Sequence, residues 1–397
     1  MRQTSVASAI TLFLLGGLGA DALAQQGRGD PTGIRAGAFI FRPVASLDTI
    51  YDSNVFFENA DETDSVIINP RADLSVVSDF SRHRVSVEGY VDQRFFLQSS
   101  DDDQTEFGVS TQGVIDVTRD FRFVLDGSYD RIAERRGTDE ADETDLTGPV
   151  LSDRFRGSVL AEYRVGDFRL RPRGFYDRQV FQDTGPVDQS ARDRDIFGGS
   201  MEVGYRFSPG YEGFVRGGYE QVDFDEDDDV NRDSEKFGAG GGVRLRLSRL
   251  LFGSIGVGVA FEEFENPDFD STTDLVVDTR LDWSPRQGLN VALAASRAIN
   301  PTNVDGAADR VDTDVSLTAR YEILRDLDGV ARFTYEQSQF EGLGRTDNFF
   351  AGRVGLERLI TRRASLSIGY EYGTRTSNFE GQDFTKHLAL VGVNYGF

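Results

Sequence analysis

Apolar and polar residues alternate along most of this chain in stretches of roughly 10 to 15 positions, each closed by a turn. In "VDTDVSLTARYE" (311–322), Val311, Thr313, Val315, Leu317, Ala319 and Tyr321 fall on one side, and Asp312, Asp314, Ser316, Thr318, Arg320 and Glu322 on the other. Successive side chains of a strand point to opposite faces, so the pattern describes a ribbon with one apolar and one charged face. It recurs in "HRVSVEGYVDQRF" (83–95), "FRFVLDGSYD" (121–130), "RFRGSVLAEYRV" (154–165), "FGAGGGVRLRL" (237–247) and "ASLSIGYEYG" (364–373). Together these segments predict about eighteen strands and no amphipathic helix of useful length.

The connections alternate as well. "TRD" (118–120), "VGD" (165–167), "SPG" (208–210), "SPRQ" (284–287) and "TRR" (361–363) are short. "SSDDDQ" (99–104), "ERRGTDEADETDLTGP" (134–149) and "DFDEDDDVNRDSE" (223–235) are longer and acidic. A soluble sandwich has no need of short links at one end and long ones at the other. A sheet in hydrocarbon must satisfy every backbone N–H and C=O within the protein, which forces it to close on itself. The predicted fold class is therefore all-β, a transmembrane antiparallel up-and-down barrel of about eighteen strands, apolar outside, polar inside, with long outer loops.

The termini extend this reading. Met1-Arg2, the apolar Val6 to Leu18 and "ALA" (22–24) have the form of an export signal. The expected organisation is a signal over 1–24, a short periplasmic segment over 25–35 and the barrel over 36–397. At the other end, "HLALVGVNYGF" aims Phe397, Tyr395, Val393, Val391 and Ala389 at lipid and Gly392 and Asn394 inward. Ending on Phe397, it resembles the signal by which the barrel assembly machinery of bacterial outer membranes recognises its clients.

Composition agrees: 43 Gly, 31 Phe and 13 Tyr favour strands and turns, and the absence of Cys removes disulfides and thiolate metal sites. Charged residues of the polar parity would line the lumen, and the candidates are Arg169, Arg171, Arg173, Arg244, Arg246, Arg320, Arg332, Arg353, Asp312, Asp314 and Glu336. Arginine presents a fixed fork of donors suited to anionic or hydroxyl-rich solutes; the alternative is that these charges pair across strands and solvate the wall. The outer-loop acidic run Asp225, Glu226, Asp227, Asp228 and Asp229 lacks the glycine and final Glu of a calcium loop, so a solvated outer surface is expected and no metal site. Only two histidines exist, His83 at a short turn and His387 on the last strand; His387 with Asp383 is the one conceivable catalytic pair, and no catalysis, cofactor or nucleic-acid binding is expected.

A family resemblance enters through the N-terminal part. Tyr51, Asp52, Ser53, Asn54 and Val55, the strand from Pro70, and the turn Ser78, Asp79, Phe80, Ser81, Arg82 and His83 resemble the putative β-barrel porin 2 family of bacterial outer membranes. The resemblance implies an eighteen-stranded barrel in the outer membrane and an association with secretion of capsular polysaccharide or exopolysaccharide, and attaches no residue-level role to these motifs. The leading expectation is an outer-membrane portal for polysaccharide export; the alternatives are a diffusion porin for small hydrophilic solutes and a structural or adhesive barrel with a plugged lumen. The expected partners are outer-membrane lipid and lipopolysaccharide, the assembly machinery, and a periplasmic polysaccharide export protein. The connection 134–150 is the best candidate to fold into the lumen.

Overall fold

Strand pairs with the next strand throughout the computed structural model, which describes residues 33–141, 146–225, 231–246 and 250–397. The export signal and Glu226, Asp227, Asp228 and Asp229 lie outside the described residues. A three-residue strand, β1 (Ile34–Ala36), folds back on the start of β2 (Phe39–Asp52), with Ile34 opposite Phe41. There follow β3 (Ser65–Ser78), β4 (Arg84–Phe96), β5 (Gln104–Asp116), β6 (Phe121–Glu134), β7 (Val150–Val165), β8 (Phe168–Phe181), β9 (Arg194–Ser208) and β10 (Tyr211–Phe224). The second half holds β11 (Ser234–Arg246), β12 (Leu251–Phe264), β13 (Thr272–Arg286), β14 (Leu289–Pro301) and β15 (Asp309–Leu324). The last are β16 (Leu327–Phe340), β17 (Arg345–Leu359), β18 (Ala364–Ser377) and β19 (Phe384–Gly396). The last strand pairs with β2, Val393 opposite Leu47 and Ala389 opposite Tyr51, so β2 to β19 close into an antiparallel barrel without an edge.

Closure is what the alternation demanded. An unpaired edge would leave a row of N–H and C=O groups in lipid at several kcal/mol each. A strand of about 14 residues rising ~3.3 Å per residue at a tilt of roughly 40° spans on the order of 35 Å, enough for a bilayer core. The outward face carries the apolar set: Leu47, Val91, Val159, Val215, Val257 and Val391 are all exposed on the barrel surface. Aromatic rings gather toward both rims, with Phe168 against Tyr205 (centroids 4.9 Å) at the short-turn end. At the long-loop end Tyr129 meets Phe155 at 4.7 Å and Tyr335 meets Phe350 at 4.9 Å. Tyr and Phe rings suit the interface between headgroups and tails.

One stretch departs from the expected parity. Alternation places Val311 on the lipid face, yet it is completely buried. The β13–β14 ladder runs only from Arg286↔Leu289 to Val277↔Arg297, whereas β14 stays paired with β15 to its end, Ile299 opposite Val311. Ile299 and Val311 pack with Ala260 and Val276, which belong to the lumenal faces of β12 and β13, and with Phe175 of β8. The tip of the β14–β15 hairpin therefore leaves the wall and turns into the mouth of the barrel, so its outward parity meets protein instead of lipid.

Candidate functional site in the barrel lumen

The lumenal face of β6 to β11 is a cross-strand ionic lattice. Glu202 of β9 accepts from three guanidinium groups: Arg216 at 2.6 Å, Arg244 at 2.7 Å and Arg171 at 3.3 Å. Glu212 joins Arg244 (2.9 Å) and Arg169 (3.1 Å), and Glu162 joins Arg164 (2.8 Å), Arg122 (3.2 Å) and Arg171 (3.7 Å). Arg173 donates to the Ser158 hydroxyl at 2.9 Å. Phe214 lies beneath Arg244 (4.4 Å to the ring centroid) and Arg216 (5.4 Å). Its ring reaches over Gly242, where a Cβ would stand 2.6 Å from it, so the glycine run of "FGAGGGV" clears a bed for this aromatic. Charged hydrogen bonds of this kind are strong because they are short and shielded from water, and the ring faces add cation–π attraction. Arg246 ends β11 exposed at the short-turn rim, away from this lattice.

Deeper under the inturned hairpin, Lys236 of β11 lies between Glu220 of β10 (3.3 Å) and Glu262 of β12 (3.2 Å). All three are 1% exposed. The ammonium also donates to the Ile299 carbonyl at 3.1 Å, tying the hairpin to the neighbouring wall of β10 to β12.

The lumenal face of β14 to β18 has a different organisation. Arg320 bridges Asp328 (3.1 Å) and Glu357 (3.0 Å), Arg332 donates to the Thr318 hydroxyl (3.1 Å), and Arg353 stands 4.0 Å from Glu371. Asp312 accepts from Arg310 (2.9 Å), Ser338 (2.7 Å) and Asn300 (2.8 Å). Asp314 accepts from Ser296 at 3.4 Å and stands opposite Glu336 in the ladder. Arg310, Arg345 and Arg375 face inward near the long-loop end, each against an aromatic ring: Phe340 under Arg345 (4.6 Å) and Arg310 (5.9 Å), Phe384 under Arg375 (4.7 Å).

What meets these three arginines comes from across the barrel. The β6–β7 connection carries Asp139 and Glu140 over the lumen. One Asp139 oxygen accepts from Arg345 (2.5 Å) and Arg375 (2.8 Å). Glu140 accepts from Arg310 (2.9 Å), the Thr302 hydroxyl (2.9 Å), and the Asn303 backbone N–H (2.9 Å) and side-chain amide (3.0 Å). In a ring of eighteen strands β6 and β15 lie half a turn apart, across a diameter of roughly 35 Å from strand spacing and tilt. This is the connection whose length singled it out as the inward folder.

The root of the loop is anchored too. Arg136 pairs with Asp102 at 2.6 Å and lies over the Phe56 ring at 4.5 Å. Gly137 has φ +80, and a Cβ there would collide with the Phe56 carbonyl oxygen, so only glycine fits. Phe56 belongs to an apolar seat of Ile50, Val55, Ile67, Phe96, Leu388 and Leu390. Sequence reading missed this seat. The signal was present: in "HLALV" apolar residues occupy both parities, which an interior that is simply polar does not explain.

The remaining candidates lie elsewhere. Asp225 sits on the outer surface, hydrogen-bonded to Arg178, which also pairs with Asp195 at 3.2 Å; the hydrogen bond from Arg178 holds the Asp225 carboxyl below the usual carboxylate range. His387 points outward and bonds the Tyr370 hydroxyl through Nδ1 (2.7 Å), while Asp383 accepts from the Ser377 backbone (2.6 Å), so the two form no pair. Arg82 of the first short turn donates to the Asp116 and Val117 carbonyls of the next turn.

A family model described as putative beta-barrel porin 2 matches residues 27–397. Among solved structures, the outer membrane protein OpdK from Pseudomonas aeruginosa is similar at 11% identity and TM-score 0.48, covering 90% of this chain and 99% of its own. OccAB3 from Acinetobacter baumannii is similar at 10% identity and TM-score 0.46 over 90% of this chain and 99% of its own. The siderophore receptor PirA from Pseudomonas aeruginosa matches at 9% identity and TM-score 0.43, over 90% and 80%. No curated protein matches the chain.

Proposed function

The chain belongs to the putative beta-barrel porin 2 family and is an outer-membrane β-barrel channel, and from that premise we propose that it is a diffusion porin for small hydrophilic solutes. The observation that carries this reading is the bridge of Asp139 and Glu140 to Arg310, Arg345 and Arg375. A connection whose Asp139 and Glu140 are tied across the lumen, together with the β14–β15 tip turned into the mouth, leaves less open width than an empty barrel of eighteen strands. Narrow passages lined by both signs of charge favour hydrated small molecules. Export of a polysaccharide, raised first by the resemblance, would need a clear path for a polymer chain, and the bridged interior favours diffusion over it.

Reconstitution tests this. Purified barrel in planar bilayers should give steady conductance at rest, and loaded vesicles should swell in small sugars while excluding larger oligosaccharides. Silence in bilayers together with no swelling would sink the porin reading. Loss of surface polysaccharide on deletion of the gene would favour export.

A further inference from the structure

We propose that Arg310, Arg345 and Arg375 form a binding site for solutes carrying two carboxylate groups, and that Asp139 and Glu140 occupy it in this structure as an internal stand-in for such a solute. The inference rests on the channel reading for its physiological meaning, but the binding itself does not.

Three features make the site more than a fastening. First, the occupant is a pair of adjacent carboxylates, and it engages three guanidinium groups set on three different strands, β15, β17 and β18. A fastening needs one good pair; two carboxylates on three forks is a recognition geometry for a dianion. Second, the arginines are held in place without the loop. Arg345 is tied to Asp347 (2.5 Å) and Gln382 (3.1 Å), Arg375 to the Gln382 backbone and side chain (2.6 and 3.0 Å), and Arg310 to Asp312 (2.9 Å). With Phe340 and Phe384 beneath them, the forks keep their places if the loop withdraws. Third, the charge balance then reverses. With Asp139 and Glu140 in place, four carboxylates face three cations; without them Asp312 and Asp347 face the same three, and the site becomes anion-attracting.

Competition follows. A solute dianion and the loop carboxylates claim the same donors, so the apparent affinity for the solute is its intrinsic affinity reduced by the fraction of time the loop is away. Removing the loop charges removes that competition.

The test uses the full barrel in detergent, with folding checked by heat-modifiable mobility, and calorimetric titration of succinate against acetate at constant ionic strength. Asp139→Asn combined with Glu140→Gln should tighten succinate binding about tenfold or more over the unmodified protein. Adding Arg345→Ala and Arg375→Ala to that variant should abolish the gain, and acetate should bind far more weakly throughout. Equal succinate affinity with and without the loop charges would overturn the proposal, as would retention of binding after the arginines are removed or equal binding of acetate. If the quadruple variant fails to fold, Arg345→Lys on the loop-neutral background replaces it and should lose at least half the gain; no loss overturns the proposal. Bilayer conductance and vesicle swelling on the same samples separate the readings: conductance without the affinity change sinks this inference alone, whereas succinate binding with neither conductance nor swelling sinks the porin reading alone.

Discussion

Two walls of the same lumen handle arginine in different ways. On β7 to β11 most lumenal guanidinium groups meet carboxylates on nearby strands, and Glu202 alone gathers Arg171, Arg216 and Arg244. On β15 to β18 the decisive carboxylates, Asp139 and Glu140, arrive on a loop from the far side. The first arrangement is part of the sheet and stands or falls with it. The second depends on one connection keeping its place across the lumen, while the strands that carry the arginines pair without it.

The difference yields a graded set of expectations. The largest effect belongs to Glu202→Gln, which leaves three buried guanidinium groups short of a counter-charge. Breaking a buried pair from one side costs about 3–5 kcal/mol, and denaturant unfolding in vesicles should show it. A loss below ~1 kcal/mol would erase the distinction between the walls. Lys236→Met strands Glu220 and Glu262 side by side beneath the hairpin and should cost about 3 kcal/mol in the same assay. It should also release the hairpin tip, since the Ile299 carbonyl loses its donor; hydrogen exchange across Ala298 to Val311 reads this directly.

Gly137→Ala acts on the second wall. The left-handed backbone and the clash with the Phe56 carbonyl should destabilise the loop by about 1–3 kcal/mol while leaving barrel unfolding nearly unchanged. Single-channel conductance should rise; unchanged conductance would mean the loop does not set the passage. At the small end, Arg206→Ala removes an ion pair with Asp167 (2.7 Å) in which both side chains are more than half exposed. It should shift stability by no more than ~0.5 kcal/mol, which marks the floor against which the lattice is measured.

Much of this is legible in residues. The lipid row of Ala389, Val391, Val393, Tyr395 and Phe397 follows from parity alone, because lipid is a uniform solvent that asks the same of every outward position. The polar face of each strand follows for the same reason, although Arg246 on that face ends exposed at the rim, and a connection as long as 134–150 at one end of a barrel has few places to go. Parity misplaces Val311 because it names a face of the strand and says nothing of what the strand end packs against; once β14 parts from β13, the outward face meets Ala260 and Val276. The apolar seat under Phe56 escapes any reading that treats an enclosed interior as polar throughout. Arg310, Arg345 and Arg375 are invisible as a group because they sit on different strands, separated by stretches of sequence that carry no trace of their shared partner.

The order of residues by itself determined the closed barrel and the alternation of an apolar and a charged face along each strand. Those follow from the two-residue period of a strand and from the cost of leaving backbone polar groups unpaired in hydrocarbon, both of which act locally along the chain. Only the tertiary structure decided which charges meet. Asp139 reaches Arg375 because a ring of strands brings a loop and a wall distant in sequence face to face, and that encounter depends on the curvature and diameter of the closed sheet, which no single segment encodes.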